Sequence, residues 1–462
     1  VSRLPIGAAV VITAYATMLA LSDSSHRTWL RIATTLAFWL ICVATTMWVT
    51  RDRRHLGRPV VTVALLALAV QLPGVFTPPH SGGDAWRYVW DGRVQLSGTS
   101  PYRYVPLDDH LAGLRDPVLF PGLTSEQRSG VTTQPLPADR AELQNRARDD
   151  SRTMINRPRV PTIYPPVAQL WFAAVAAVTP WSAGTLGIQI GSALLAVALA
   201  AALAAWLLRR GLNPRQALWW AWSPTVILEA GKGGHVDILG AAFIVGAVIA
   251  VSTRQGRAST AWVAGLLLGA AASVKLTPLV LLPAFMPLRR NGFPRPWKTP
   301  LTAVVTLVAT YLPHVLIVGG LVLGYLPGYL AEEGGGDRAG LLRLFVPENL
   351  LTPAMLVVMA AVAIWALGTT TAEEPQRAAL VLFGSLLLVT TPSYPWYAVP
   401  LVALAVMSRR LEWLAVAVAG YWAYDGVGVP AAGYALAAAL VVIVAICRRR
   451  RHLAPEPAVQ QR

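Results

Sequence analysis

Residues 185–210 read TLGIQIGSALLAVALAAALAAWLLRR, twenty-four residues without a charge, closed by Arg209 and Arg210. As an α-helix, such a run rises about 36 Å at ~1.5 Å per residue, more than the ~30 Å hydrocarbon layer of a bilayer. It reads as a membrane span, and the paired arginines place its end in the cytoplasm under the positive-inside rule. Comparable apolar runs recur along the whole chain. Spans are expected at about 5–22, 29–49, 59–77, 185–208, 214–230, 235–252, 260–274, 276–289, 299–318, 350–368, 376–391, 395–408, 411–424 and 431–447. The expected fold class is an all-α polytopic membrane protein with about 11–14 transmembrane helices.

Composition agrees with that reading. The chain has 462 residues, 55% of them hydrophobic, and a mean hydropathy of +0.51. Only 13% are charged, about half of the ~25% usual in soluble domains. A disordered chain and an ordinary soluble enzyme are both excluded. The net charge of +16 sits largely in short loops, so it reports topology and not nucleic-acid binding, which would gather it on one polar domain. The two cysteines, Cys42 and Cys447, lie far apart in apolar runs and suggest neither a disulfide framework nor a metal site. The first apolar run is read as a span and not a cleaved signal peptide. Val1 is read as an alternative start, which with the Ala/Arg/Gly/Pro-rich composition suggests a bacterial source.

Cytoplasmic loops are marked by Arg51, Arg53, Arg54 and Arg58, by Arg209, Arg210 and Arg215, and by Arg254 and Arg257. Arg289, Arg290, Arg295 and Lys298 mark another, as do Arg409 and Arg410, and Arg448 to Arg451 close the series. All agree with a cytoplasmic N-terminus if each span crosses once. One apolar stretch breaks the parity. Val167 to Thr179, bracketed by Pro165–Pro166 and Pro180, gives only about 20 Å of helix. It is expected to lie at the outer interface without crossing.

The chain then divides into N-terminal transmembrane helices (1–77), an extracytoplasmic loop with its interfacial helix (78–184) and core transmembrane helices (185–318). A second outer loop (319–349), C-terminal transmembrane helices (350–447) and a basic cytoplasmic tail (448–462) follow. Residues 78–160 hold ten acids and eleven arginines. A hydrophilic loop of that length usually carries function.

The densest chemistry follows the third span: Gly82, Gly83, Asp84, Ala85, Trp86, Arg87, Tyr88, Val89, Trp90, Asp91, Gly92 and Arg93. On a helix Asp84 and Asp91 share a face two turns apart, and Arg87 can pair with either. A carboxylate among rings at the membrane boundary suits a general base for a sugar or lipid hydroxyl. The same residues also suit an interfacial aromatic belt with a structural ion pair. Pro161, Thr162, Ile163, Tyr164, Pro165 and Pro166 form a helix-start bend. Glu229, Lys232, His235 and Asp237, spaced by glycines, make a polar hairpin between spans. Such groups are costly unless they face a wet cavity, where they suit a phosphate or a sugar hydroxyl. Lys275 breaks an apolar run near the same outer face, and a cation there suits a lipid phosphate. Tyr394, Trp396 and Tyr397 form an outer aromatic turn that either stacks on sugars or joins an aromatic girdle. One His and one Asp are too few for a zinc site.

Taken in order, Asp84 to Pro106, Thr-Ile-Tyr-Pro-Pro at 162–166, Gly-His-Val-Asp at 234–237, Val-Lys-Leu-Thr-Pro at 274–278 and Pro-Trp-Tyr at 395–397 resemble the GT-C superfamily of membrane glycosyltransferases. The resemblance is nearest to bacterial polyprenyl-phosphate-mannose-dependent mannosyltransferases of the family 87 type, and runs from about residue 59 to 400. It implies a GT-C type fold whose large first extracytoplasmic loop is catalytic. It further implies transfer of a sugar, mannose first, from a polyprenyl-phosphate donor outside the cytoplasmic membrane, with inversion, to a cell-envelope glycolipid or glycan acceptor. Asp84 maps onto the base, with Asp91 in reserve. Arg87, Lys275, His235 and Lys232 then meet the donor phosphate. Asp237, Tyr164, Tyr394, Trp396 and Tyr397 line the sugar or acceptor pocket. The resemblance names no definite cofactor, and a divalent cation is compatible with the chemistry. The chain departs from the common core in one respect: two spans, not one, precede the segment leading to Asp84, so 5–49 reads as an added hairpin.

The alternative is a lipid-linked sugar flippase or transporter without catalysis, and a third reading is a scaffolding membrane protein. A transporter places paired charges near mid-bilayer on broken helices. Here they cluster at the outer face and no internal repeat is found, which favours the transferase; the lack of a P-loop with its Lys-Ser/Thr argues against nucleotide hydrolysis.

Overall fold

The computed structural model describes residues 3–23, 28–52, 56–79, 83–129, 150–253, 259–287, 296–334, 339–424 and 430–453. Gly82, Arg53, Arg54, Arg254, Arg257, Arg289, Arg290, Arg295, Asp337 and Arg338, together with the last nine residues of the tail, lie outside them.

All regular structure among the described residues is helical. The principal helices are α1 (Arg3–Asp23), α2 (Thr28–Thr50), α3 (Pro59–Val75), α4 (Asp84–Leu96), α5 (Pro166–Val178), α6 (Leu186–Arg209), α7 (Asp237–Thr253) and α8 (Ser259–Ala272). They continue with α9 (Lys298–Val318), α10 (Leu326–Gly334), α11 (Leu351–Thr369), α12 (Pro375–Thr390), α13 (Val399–Ser408), α14 (Leu414–Tyr424) and α15 (Pro430–Leu453). Among the described residues, six helical stretches are long and apolar enough to cross a membrane: those of α1, α2, α6, α9, α11 and α15. The protein is an all-α polytopic membrane protein.

The other expected spans are shorter or broken, and prolines account for several of the breaks. Residues 214–232 form four pieces, opened by Pro214, restarted by Pro224 and closed by a π-turn over Leu228–Lys232. Pro278 and Pro283 restrict residues 277–285 to 3-10 geometry. These short pieces are packed inside the helix bundle, where neighbours shield their ends.

The two ends of the bundle differ in chemistry. At one end Asn213 Nδ2 donates to the Thr50 carbonyl at 3.1 Å and Arg215 pairs with Asp52. Arg210 donates to the Glu373 carbonyl at 2.7 Å. Glu412, at the loop of Arg409 and Arg410, holds Arg410 and Arg448 at 2.5 and 3.1 Å. At the other end of α6, Gln189 Nε2 donates to the carbonyls of Thr77 and Lys232 at 2.9 and 3.1 Å. Arg210 and Arg215 are thus separated from Gly74–Thr77 and the 231–237 segment by the length of α6.

Residues 83–129 and 150–178 are a folded unit with an apolar core of their own. Trp86, Tyr88, Trp90, Leu119, Phe120, Ile155 and Phe172 are buried together, with Val236 and Val274 of the bundle joining them. Full burial of such side chains contributes roughly 2–3 kcal/mol apiece. Helix α4 starts at Gly83, whose extended backbone (φ −75°, ψ 159°) leads into Asp84 in the first turn. An acid there complements the helix dipole. The helix ends where Gly98 turns at φ +80°. Helix α5 has the expected 13 residues, beginning at Pro166. Its first free N–H groups, of Val167 and Ala168, donate to the Ser273 carbonyl at 2.9 and 3.2 Å. Those two bonds fasten this unit to the turn that carries Lys275.

Candidate active site

Asp84 sits at the first turn of α4, half-buried, with its carboxylate accepting from Asn156 Nδ2. Burial first, and then the charge of Asp84, push the Tyr164 and Tyr88 hydroxyls well above the usual phenol range. Both stay protonated at neutral pH and can donate. Tyr164 is fixed by an edge-to-face contact with Tyr88 (4.9 Å between centroids) and by its carbonyl, which accepts from Tyr102 at 2.8 Å.

The hairpin of residues 229–237 approaches from the bundle. Gly234 adopts φ +65°, and a Cβ there would lie 2.9 Å from Ile188 and 3.6 Å from Ala85. Glycine therefore allows this turn to lie beside the start of α4. His235 is buried, its Nδ1 2.9 Å from Glu229 Oε2 and its ring stacked on Trp396 at 4.1 Å and 16°.

Asp237 opens α7. Its Oδ1 lies 2.8 Å from Lys275 Nζ, while its buried Oδ2 has no hydrogen-bond partner among the described residues. Lys275, partly exposed, also places its ammonium 3.8 Å above the Tyr397 ring. Tyr394 stacks on Trp396 at 4.7 Å, and Tyr397 meets Tyr329 hydroxyl to hydroxyl at 2.9 Å. Asp84, Tyr164, His235, Asp237, Lys275, Trp396, Tyr394 and Tyr397 thus form one continuous neighbourhood, at the end of the bundle away from Arg210 and Arg215.

Three expected site residues are placed differently. Arg87 and Asp91 are both buried and pair with each other at 2.9 Å. Arg87 also donates to the Val160 carbonyl at 3.2 Å, and Asp91 Oδ2 accepts from Thr162 Oγ1 at 2.6 Å and Gln169 Nε2 at 3.0 Å. This network clamps α4 to the Thr162–Pro166 corner, and its groups face each other, not the neighbourhood of Asp84. Lys232 is buried against Gly74, where an added Cβ would come within 3.2 Å of its own Cβ.

Asn156 and Tyr421 were not singled out by the sequence. Asn156 lies 72 residues from Asp84, and the Tyr421 hydroxyl donates to Glu229 Oε1 at 2.5 Å from 192 residues away. No local spacing announces contacts of that kind.

Fold and site define an all-α polytopic membrane protein with a carboxylate, cation and aromatic site at one end of its bundle. Within that class the chain belongs to glycosyltransferase family 87, whose family model matches residues 162–392, half of its length. The matched region contains Tyr164, Lys232, His235, Asp237 and Lys275; Asp84 precedes it and Tyr394, Trp396 and Tyr397 follow it. No curated protein and no solved structure matches the chain. The protein is accordingly a membrane glycosyltransferase, with a sugar donor and an acceptor as its substrates.

Proposed function

We propose that this glycosyltransferase draws its sugar, mannose first, from a polyprenyl-phosphate donor and passes it to a glycolipid or glycan acceptor of the cell envelope. The reaction takes place at the extracytoplasmic face of a bacterial cytoplasmic membrane. Asp84 is the base. It takes the proton of the acceptor hydroxyl as that oxygen attacks the anomeric carbon from the face opposite the phosphate. The bond from the anomeric carbon to the phosphate oxygen breaks, the configuration inverts, and polyprenyl phosphate leaves with the electron pair.

The leaving phosphate gains charge as the bond breaks, and cations placed beforehand stabilise it without reorganisation. Lys275 and His235 fill that role, with Lys232 held behind them in the same hairpin. Asn156 orients the Asp84 carboxylate. Asp237 Oδ2 accepts from a sugar hydroxyl, and Tyr394, Trp396 and Tyr397 form the wall against which the sugar packs. Arg87 and Asp91 keep the outer unit in register with the bundle. A divalent cation beside the phosphate is compatible with this arrangement.

The observation that carries this reading is that the Gly234 turn before His235 and Asp237 lies against Ala85, next to Asp84, while Asp237 holds Lys275 at 2.8 Å, so that three distant segments meet. The test is transfer by the purified protein from a panel of polyprenyl-phosphate sugars, with and without EDTA. Transfer from at least one such donor, with inversion, supports the reading. Transfer from nucleotide sugars alone overturns it.

A further inference from the structure

Glu229 is a buried carboxylate that the reaction above does not use. It lies in the π-turn Leu228–Lys232, an arrangement wider than an α-turn and common at functional sites. The turn folds back on itself, so that the His235 N–H donates to the Glu229 carbonyl at 2.8 Å. The same fold-back brings Glu229 Oε2 to 2.9 Å from His235 Nδ1. Its other oxygen accepts from the Tyr421 hydroxyl of α14 at 2.5 Å, and Tyr421 is packed edge-on against Trp39 of α2. Helices α2 and α14 therefore brace this carboxylate from behind.

A buried carboxylate is costly unless its partners are well placed, and here both oxygens are engaged. What the arrangement accomplishes is at His235. Glu229 Oε2 stands 2.9 Å from the Nδ1 edge of the imidazole and Trp396 is stacked across its face, and these two contacts set where the ring sits. The nitrogen on the opposite edge, Nε2, is the one left for a ligand. Other charges near this ring are Asp84 from α4 and Asp237 from α7, with Lys275 tied to Asp237.

We infer that Glu229 is a positioning residue whose carboxylate, beside His235 Nδ1, orients the ring against Trp396 so that its Nε2–H donates to the phosphate of the lipid-linked donor. The inference rests on the reading of His235 as a phosphate contact. Its logic is that of a carboxylate behind a histidine, which fixes the orientation of the ring and favours its charged form.

Two measurements on the full-length protein in detergent test it. The first needs no substrate. An imidazolium stacked on an indole quenches its fluorescence, so the pH-dependent emission present in wild type and absent in His235→Gln reports the His235 titration. Glu229→Gln is expected to move that midpoint down by about one pH unit or more, as removal of an opposite charge within ~4–6 Å does. Glu229→Asp is expected to restore part of the shift. An unchanged midpoint in correctly folded Glu229→Gln overturns the inference whatever the donor proves to be.

The second measurement is the pH profile of donor KM. In Glu229→Gln the donor KM is expected to rise roughly tenfold at pH 7.5 and to return toward wild type at pH 5.5, with kcat changed less; tenfold corresponds to the same unit of titration shift. A uniform loss of activity at all pH values, with KM unaltered, marks a purely structural residue and overturns the inference. A shifted fluorescence midpoint with no effect on donor KM keeps the Glu229–His235 pair but overturns the phosphate contact.

Discussion

The ammonium of Lys275 lies 2.8 Å from Asp237 Oδ1 and 3.8 Å above the ring of Tyr397. Before any substrate arrives, the cation proposed to meet the donor phosphate is therefore held by a carboxylate and a π-face. A phosphate that binds here shares Lys275 with Asp237, which keeps the cation in place without neutralising it by burial. Lys275→Ala leaves Asp237 buried and without its partner, a defect that costs on the order of 3–5 kcal/mol for a fully buried pair and less for one partly open to solvent. The single variant is expected to lose both thermal stability and donor affinity. The double variant Lys275→Ala/Asp237→Asn is expected to regain most of the stability and none of the affinity. Thermal unfolding and donor titration on the same preparations separate the two effects, and recovery of affinity in the double variant removes Lys275 from the phosphate site.

Asp91 and Arg87 give a different signature. Because both Asp91 oxygens are engaged by Arg87, Thr162 and Gln169, Asp91→Asn weakens a buried network and touches no reacting atom. Stability is expected to fall by roughly 1–3 kcal/mol. The folded fraction is expected to keep kcat within about tenfold of wild type. A loss of turnover as complete as that of an Asp84 variant, in protein that unfolds at the wild-type temperature, moves the base to Asp91.

Helices α4 and α5 cross at a point where only glycine fits. A Cβ on Gly92 would stand 2.4 Å from the Phe172 carbonyl oxygen, a backbone atom that cannot rotate away. Gly92→Ala is expected to force the two helices apart and to destabilise the unit that α4 and α5 build by about 1–3 kcal/mol, as overpacking does. Limited proteolysis of residues 83–178 is the measurement: faster cleavage than in wild type is expected, and equal rates show that the helices can separate freely.

The loop that carries Asn156 is pinned at its start by Asp150, which holds Arg152 and Arg159 at 2.6 Å each. Burial alone would raise the Asp150 pKa, but the hydrogen bonds and charges of Arg152, with the charge of Arg159, hold it below its ordinary value of 3.8. A carboxylate with a depressed pKa in the folded state stabilises the fold above its unfolded pKa and loses that contribution as pH falls through the folded value. Asp150→Asn is therefore expected to be less stable than wild type at pH 5–7, with the gap closing in acid below about pH 4. Thermal unfolding across that range tests it, and a gap independent of pH contradicts the assignment.

Membrane character and most helix positions could be read in the chain because twenty-odd uncharged residues have few alternatives to a span. The short α5 was equally legible, since Pro165, Pro166 and Pro180 bound it on both sides. The break-up of 214–232 was less so: Pro214 and Pro224 announce restarts, but the π-turn that turns Glu229 toward His235 leaves no local mark. On α4, Arg87 is three residues after Asp84 and four before Asp91, and helical spacing permits either pair. Burial decided for Asp91, and burial depends on Thr162 and Gln169 some seventy residues away. Asn156 and Tyr421 were hidden for the same reason: their roles are set by packing across the fold.

Sugar transfer by Asp84→Asn, measured beside wild type with a lipid-phosphate donor that the wild type accepts, bears most directly on the chemistry. Loss of the base is expected to lower the rate by about 10²–10⁴ while donor binding stays within a few fold of wild type. Turnover within a few fold of wild type, in protein that binds the donor normally, would show that the proton of the acceptor goes elsewhere.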